Sequence, residues 1–262
     1  MATHIPWFSA SLRRKLVHIS IFTIGTPIVG FGSLYLWTRG CTFEPFGPKT
    51  SLLFQHPVLK AINPRNNPST HDCCVRAVPF SKIRSELLDD ARRGGSRMTE
   101  AFSAGIWGGY GYDIQRNILH LTKDESNSSD LWTKKELLSS TYDLGTAVTN
   151  YFAVLERTPS RLIFRGCLSP NQTPMTPQEQ DTLIELSAVV NEGKQVVEFR
   201  MSCIAFDGID STAREDPFGG FPGLMHRLAS NSATAAMEQI TAGSYGVEMY
   251  KAVLPISEHR NQ

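Results

Sequence analysis

Residues 182–206 read TLIELSAVVNEGKQVVEFRMSCIAF, two apolar runs of period two joined by Asn191-Glu-Gly-Lys194. Side chains on a strand point alternately to the two faces of a sheet, so sustained alternation marks a strand. A short polar link containing glycine between two such runs marks a hairpin. In the second run Val197, Phe199, Met201, Cys203 and Ala205 share one face, while Glu198, Arg200 and Ser202 share the other with apolar neighbours. The first face therefore belongs to a core, and the half-polar one suits solvent or a wet cavity.

The pattern extends in both directions. Upstream, residues 147–156 alternate with Val148, Phe152 and Val154 set against Tyr151 and Leu155, and residues 161–167 alternate likewise. Four antiparallel strands in a meander are expected. Before them the period lengthens to that of a helix: Ile83, Leu87, Leu88 and Ala91 fall on one face between a capping Ser81 and a stop at Gly94-Gly95. A second helix is expected from about Ser96, burying Met98, Phe102, Ile106, Ile114 and Ile118 and containing AGIWGGYGYDIQR at residues 104–116. Its glycines let another element approach, and Asp113 and Arg116 read as solvent-side or pairing residues. Thr133-Lys-Lys-Glu136 is a capping-box pattern that opens a short third helix.

Downstream, DPFGGFPG at residues 216–223 opens a long helix on which Phe221, Leu224, Leu228, Ala235, Met237 and Ile240 recur near helical spacing. Its middle, ASNSATAA at residues 229–236, has only small side chains. That leaves room for a ligand between helix and sheet, or for tight helix packing; both fit. The fold class expected is α+β, a curled antiparallel sheet around a long C-terminal helix.

The N-terminus reads as a membrane anchor. Residues 16–37, LVHISIFTIGTPIVGFGSLYLW, carry no formal charge and are long enough to cross a hydrocarbon core of roughly 30 Å as a helix. Arg13, Arg14 and Lys15 flank one end; Tyr35, Trp37 and Arg39 form an interfacial belt at the other. A single-pass protein of the endoplasmic reticulum membrane is expected, with a cytosolic or lumenal tail at residues 1–15. Two sequons, at Asn127 and Asn171, agree with a lumenal domain and mark candidate glycosylation sites. Residues 38–78, rich in proline and in turn chemistry such as NPRNNPSTHD, read as a stalk. The ligand-binding domain then spans residues 79–250 and a tail 251–262.

Composition narrows the function. Of the 262 residues 41% are hydrophobic and 19% charged, which suits a folded globule, and 26 basic against 25 acidic residues leave a formal net charge of +1. No electrostatic footprint for nucleic acid stands out. The five cysteines form no CxxC array, and the seven histidines show no metal-ligand spacing, so no metal is expected. The chain has no GxSxG, HExxH or GxxxxGK[ST], and GGYGYD lacks the third glycine of a dinucleotide fingerprint. Cys203 with His226 is a nucleophile pair the sequence leaves open, against the plainer reading of a small core cysteine.

Chemistry done by shape remains. The candidate walls of an apolar pocket are Trp107, Tyr110, Tyr112, Tyr142, Tyr151, Phe199 and Phe206, with Leu224 and Leu228 on the final helix; Arg165 and Arg200 are candidate donors. Arg200 and Tyr151 are the expected catalytic donors. Each has a bland reading beside it, since buried aromatics usually fill core and strand arginines usually face water.

The order LIFRG, LIELSAVV, EGKQVVEFRMSCIAF and FPGLMHRLASNSATAAMEQI resembles the final strands and helix of the helix-grip architecture of START and Bet v 1-like ligand-binding proteins. WGGYGYDIQRNILH, LWTKKELLSSTYDLGTAVTNYFAVLERT and FPGLMHRL resemble fungal membrane-anchored proteins of natural-product gene clusters, a group similar to the norbornene-forming Diels-Alderase of sordarin biosynthesis. The resemblance covers about residues 70–242 and carries no catalytic signature. It implies a cofactor-independent cyclase or isomerase acting on a hydrophobic terpenoid or polyketide intermediate, with the bilayer and pathway oxidases as partners. A non-catalytic lipid-binding or transfer protein is the alternative.

Overall fold

A computed structural model describes residues 40–210, apart from the side chains at positions 110, 111 and 114. The described chain is α+β, built on a seven-stranded antiparallel sheet: β1 (Cys41–Phe43), β2 (Ser69–Pro79), β3 (Ala147–Val148), β4 (Phe152–Thr158), β5 (Arg161–Gly166), β6 (Asp181–Asn191) and β7 (Val196–Phe206). Their spatial order is β1-β2-β7-β6-β5-β4-β3. Short helices accompany it: α1 (Pro57–Ile62), α2 (Ser85–Arg92), α3 (Arg97–Trp107), α4 (Tyr110–Leu119) and α5 (Lys134–Ser139). None of the described helices is long and apolar enough to cross a membrane. The expected anchor at residues 16–37 and the expected long helix after residue 221 both lie outside the described residues.

The meander from β4 to β7 forms as the alternation requires. β6 and β7 pair from Asp181↔Phe206 to Asn191↔Val196. The Asn191 carboxamide oxygen accepts from the Lys194 amide at 3.0 Å, and Gln195 takes a positive φ of 55°. The face of Val197, Phe199, Met201, Cys203 and Ala205 joins the larger core cluster, together with Leu87 and Leu88 of α2 and Met98, Phe102 and Trp107 of α3. Burying each large apolar side chain there is worth about 1.5–3 kcal/mol.

The stalk expectation is corrected. Residues 41–79 belong to the sheet and its cover, and the compact unit begins at Gly40. β2 pairs with β7 from Ser69↔Phe206 to Pro79↔Val196. The prolines that suggested interruption sit where an absent N–H costs least: Pro57 opens α1 and Pro79 ends β2. Cys73, Cys74 and Val75 are buried in succession, so β2 is covered on both faces and shows no clean alternation.

α1 covers part of the other sheet face. Leu53, Val58, Leu59 and Ile62 pack on Ile163, Leu183, Ile204 and Phe206. His56 fastens this segment: its Nδ1 accepts from the Val58 amide at 3.3 Å, and its Nε2 donates to Glu156 at 3.1 Å. Burial pushes the Glu156 carboxyl up, but the hydrogen bonds from His56 and Arg161 outweigh it and leave the group below the usual range.

Three further boundaries differ from expectation. The first expected helix, α2, starts at Ser85 with Arg84 before it, so Ser81 does not cap it. The single helix from Ser96 is two, α3 and α4, broken at Gly108 and Gly109; Ile118 ends up 62% exposed rather than buried. Residues 147–156 are not one strand but β3 and β4, folded back on each other at Thr149 and Asn150. The capping box forms as read: Thr133 Oγ1 accepts from the Glu136 amide at 3.2 Å and Glu136 accepts from the Thr133 amide at 2.7 Å.

Candidate functional site

The site grows from the break between α3 and α4. Trp107 is the last residue of α3, and the helix stops because Gly108 follows. A Cβ at Gly108 would lie 2.7 Å from Cδ2 of Leu138 and 2.8 Å from the Ala104 carbonyl, so the missing side chain lets Leu138, next to Leu137 on α5, press against the helix end. The glycine-for-close-approach reading of this stretch holds at Gly108. The chain re-enters a helix at Tyr110 and brings Tyr112 back against Trp107, with ring centroids 5.2 Å apart. Asp113 and Arg116 form an ion pair at 2.7 Å on the same helix.

Tyr112 reaches across to the sheet, where its hydroxyl is hydrogen-bonded to Thr149 Oγ1 inside the protein. Thr149 and Asn150 have φ of 51° and 54°, and the Tyr151 amide donates to the Val148 carbonyl at 3.1 Å. Two successive left-handed residues with that bond make a type I′ hairpin turn, which asparagine and glycine prefer. A β-branched threonine there costs about 1–3 kcal/mol and persists because the surroundings hold it. The turn delivers Tyr151 and Phe152 to the helix-covered face. Phe152 lies 4.5 Å from Trp107 and 5.0 Å from Tyr151, and Phe164 of β5 lies 5.2 Å from Trp107. Gly166 faces Phe152 across β4 and β5, and a Cβ there would stand 2.7 Å from the Phe152 ring.

The enclosure holds polar atoms but few bonds for them. Ser103 Oγ and Trp107 Nε1 are buried and have no hydrogen-bond partner among the described residues. They sit one helical turn apart on α3, hence on one face of it. An unsatisfied buried donor costs about 1–3 kcal/mol, so two together are a deficit the fold carries. Burial also pushes the phenols of Tyr112, Tyr142 and Tyr151 up, which keeps them neutral donors at physiological pH.

The sequence-derived candidates divide between the two sheet faces. Trp107, Tyr142 and Phe199 are buried in the helix-covered core, and Tyr151 packs at its margin. Tyr142 spends its hydroxyl on the Leu137 carbonyl at 2.6 Å, and Phe199 packs on Phe102 at 5.2 Å rather than on Trp107. Phe206 is on the opposite face with the α1 cluster, because an odd step along a strand reverses the side chain; it shares no wall with Phe199. Arg200 is on that opposite face too, paired with Glu44 at 2.6 Å and Glu198 at 2.8 Å. The two expected catalytic donors, Arg200 and Tyr151, therefore lie on opposite faces of the sheet. Arg165 is fully buried but committed: it pairs with Asp181 at 2.9 and 2.5 Å and donates to the carbonyls of Thr173 and Thr176, clamping the β5–β6 connection. Cys203 is a buried core residue, and His226 lies outside the described residues. So do Leu224 and Leu228, and the side chain of Tyr110 is likewise not described.

Of the two sequons, Asn171 is exposed. Asn127 is 3% exposed; its Nδ2 donates to the Thr122 carbonyl at 2.9 Å and its Oδ1 accepts from the Asp124 amide at 2.9 Å. A glycan has no access to it in the folded chain, which corrects that expectation.

Sequence reasoning missed Ser103, Thr149, Phe164 and Gly166 as parts of the site. The signal for Ser103 was its four-residue spacing from Trp107; Thr149 gave none, since its conformation is imposed by the turn. No protein-family model, curated protein or solved structure matches this chain.

Proposed function

We propose that this chain is a membrane-anchored domain that holds a hydrophobic terpenoid- or polyketide-class molecule against the helix-covered face of the sheet and promotes its cyclisation or isomerisation without a cofactor. The observation that carries the reading is the enclosure around Trp107: four rings, those of Trp107, Tyr112, Phe152 and Phe164, meet beside buried donors that are neutral and in part unbonded. Apolar walls with a few convergent polar groups are what small-molecule sites consist of. Orienting a flexible guest supplies up to about 7–11 kcal/mol to an intramolecular reaction, and a neutral donor on a conjugated carbonyl stabilises the charge that shifts in its transition state.

The finer architecture belongs to the same proposal. In this proposal the helix opened by residues 216–223 and carrying Phe221 to Ile240 closes a helix-grip fold, with Leu224 and Leu228 among its ligand-binding residues, and residues 16–37 hold the domain at the endoplasmic reticulum membrane, near pathway oxidases. Tyr151, at the margin of the enclosure, stays the candidate catalytic phenol. The resemblance to the fungal natural-product-cluster proteins supports this reading.

A non-catalytic lipid-binding or transfer role is the second reading, favoured by the commitment of Arg165 to Asp181, Arg200 to Glu44 and Glu198, and Tyr142 to the Leu137 carbonyl, which takes those groups out of any chemistry. The deciding experiment deletes the gene, isolates the metabolite that accumulates, and incubates it with the full-length protein in detergent. Faster, stereoselective ring closure or isomerisation establishes the first reading; saturable binding without turnover establishes the second; the absence of both binding and turnover refutes both.

A further inference from the structure

Ser103 and Trp107 are the point where the enclosure departs from an ordinary core. The other polar side chains buried around them have partners: Thr99 Oγ1 donates to the Pro159 carbonyl at 2.8 Å, Tyr112 pairs with Thr149, and Tyr142 donates to Leu137. Among the described residues Ser103, 0% exposed, and Trp107, 3% exposed, have none for Oγ and Nε1. An indole N–H can only donate, while a serine hydroxyl on the same side of α3 both offers one proton and accepts. The site therefore has donors in excess and asks for an acceptor.

The chemistry of the missing acceptor is restricted. A water molecule could accept from both groups, or accept from Trp107 and donate to Ser103 Oγ, but either arrangement leaves two protons unpaired, because the rings of Phe152, Phe164 and Tyr112 around the indole offer no strong acceptor. A carbonyl oxygen brings two lone pairs and no proton, matching two donors, and the carbon skeleton behind it suits the aromatic surroundings.

We infer that Ser103 Oγ and Trp107 Nε1 jointly bind the carbonyl oxygen of an otherwise apolar guest, a ketone, enone or lactone, and so are specificity-determining residues of the site. This rests on the reading that the enclosure takes an apolar molecule. Polarising such a carbonyl by two neutral donors is also the electronic assistance a cyclisation of an enone requires.

The test uses the full-length protein in detergent and two matched fluorescent probes, a 6-acyl-2-(dialkylamino)naphthalene and its 6-alkyl counterpart lacking the carbonyl. The ketone binds about tenfold or more tightly than the hydrocarbon-tailed probe, and its carbonyl stretch moves to lower frequency on binding. Ser103→Ala and Trp107→Phe each reduce the preference about threefold to tenfold and return part of the infrared shift. Ser103→Ala removes only an unbonded hydroxyl, so its fold survives if Trp107→Phe proves unstable. Equal binding of both probes, unchanged by Ser103→Ala, overturns the carbonyl assignment and leaves the apolar enclosure standing. Failure of both probes to bind overturns the enclosure and the assignment with it.

Discussion

Replacing Gly166 by alanine tests the geometry on which the site depends. Gly166 pairs with Phe152 across β4 and β5, and a new Cβ would stand 2.7 and 2.9 Å from two atoms of the Phe152 ring. No φ in the left-handed region is required at Gly166, so alanine gains about 0.4–1 kcal/mol by restricting the unfolded chain. Against that, a methyl forced into a packed core costs about 1–3 kcal/mol. Displacing Phe152 also weakens its contacts with Trp107 at 4.5 Å and Tyr151 at 5.0 Å, worth about 0.5–1.5 kcal/mol each beyond area. The expected net is a loss of about 1–3 kcal/mol. Thermal unfolding followed by near-ultraviolet circular dichroism reads both the stability and the aromatic environment. Gly166→Ala in a Phe152→Leu background should be neutral to within about 0.5 kcal/mol, because the offending ring edge is gone, giving a coupling of at least about 1 kcal/mol. If the glycine substitution stabilises the natural chain, or costs the same in both backgrounds, the argument that Gly166 makes room for Phe152 is wrong.

Other expectations follow from the same structure. Arg165→Met leaves Asp181 buried without its cation and releases the Thr173 and Thr176 carbonyls, so unfolding titrations should show a loss of about 3–5 kcal/mol. Expressed through the secretory pathway, the folded protein should lose its glycan mass shift on Asn171→Gln, as measured by endoglycosidase treatment, with none assignable to Asn127. Glu156 is held below its ordinary value of 4.5 by His56 and Arg161 despite partial burial. A carboxyl lowered in the folded state adds stability that is present above the unfolded value and is lost as pH falls through the folded one. Melting temperature against pH should therefore drop below about pH 4.5 in the natural chain by more than in Glu156→Gln; parallel curves would remove the role of this latch.

Much of the sheet was legible from residues alone. The β6–β7 hairpin, the meander and the Thr133 capping box are local devices: alternation, turn residues and a three-residue reciprocal cap act within one stretch of chain, so their spelling suffices. The two-faced assignment of β7 was equally readable, and it already separated Phe199 from Phe206 and Arg200, a consequence that emerges only when partners are assigned to each face. β2 was illegible because a strand buried on both sides loses the period-two signal, and the prolines of this region look like breakers until Pro57 is seen to open α1 and Pro79 to end β2.

The site itself belonged to tertiary structure. That Gly108 ends a helix could be suspected from composition, but that Leu138 occupies the space its side chain would fill is a long-range fact. Whether Arg165 is a free donor or a clamp, and whether Asn127 is a glycan acceptor or part of a cap, turned on partners drawn from elsewhere in the chain. The sequence determined that the segments of the β4–β7 meander pair and which residues are greasy, because those follow from backbone periodicity and transfer free energy. Only the folded molecule decided that Ser103 and Trp107 would lie buried with nothing to donate to, because hydrogen-bond satisfaction is set by what other elements bring into contact.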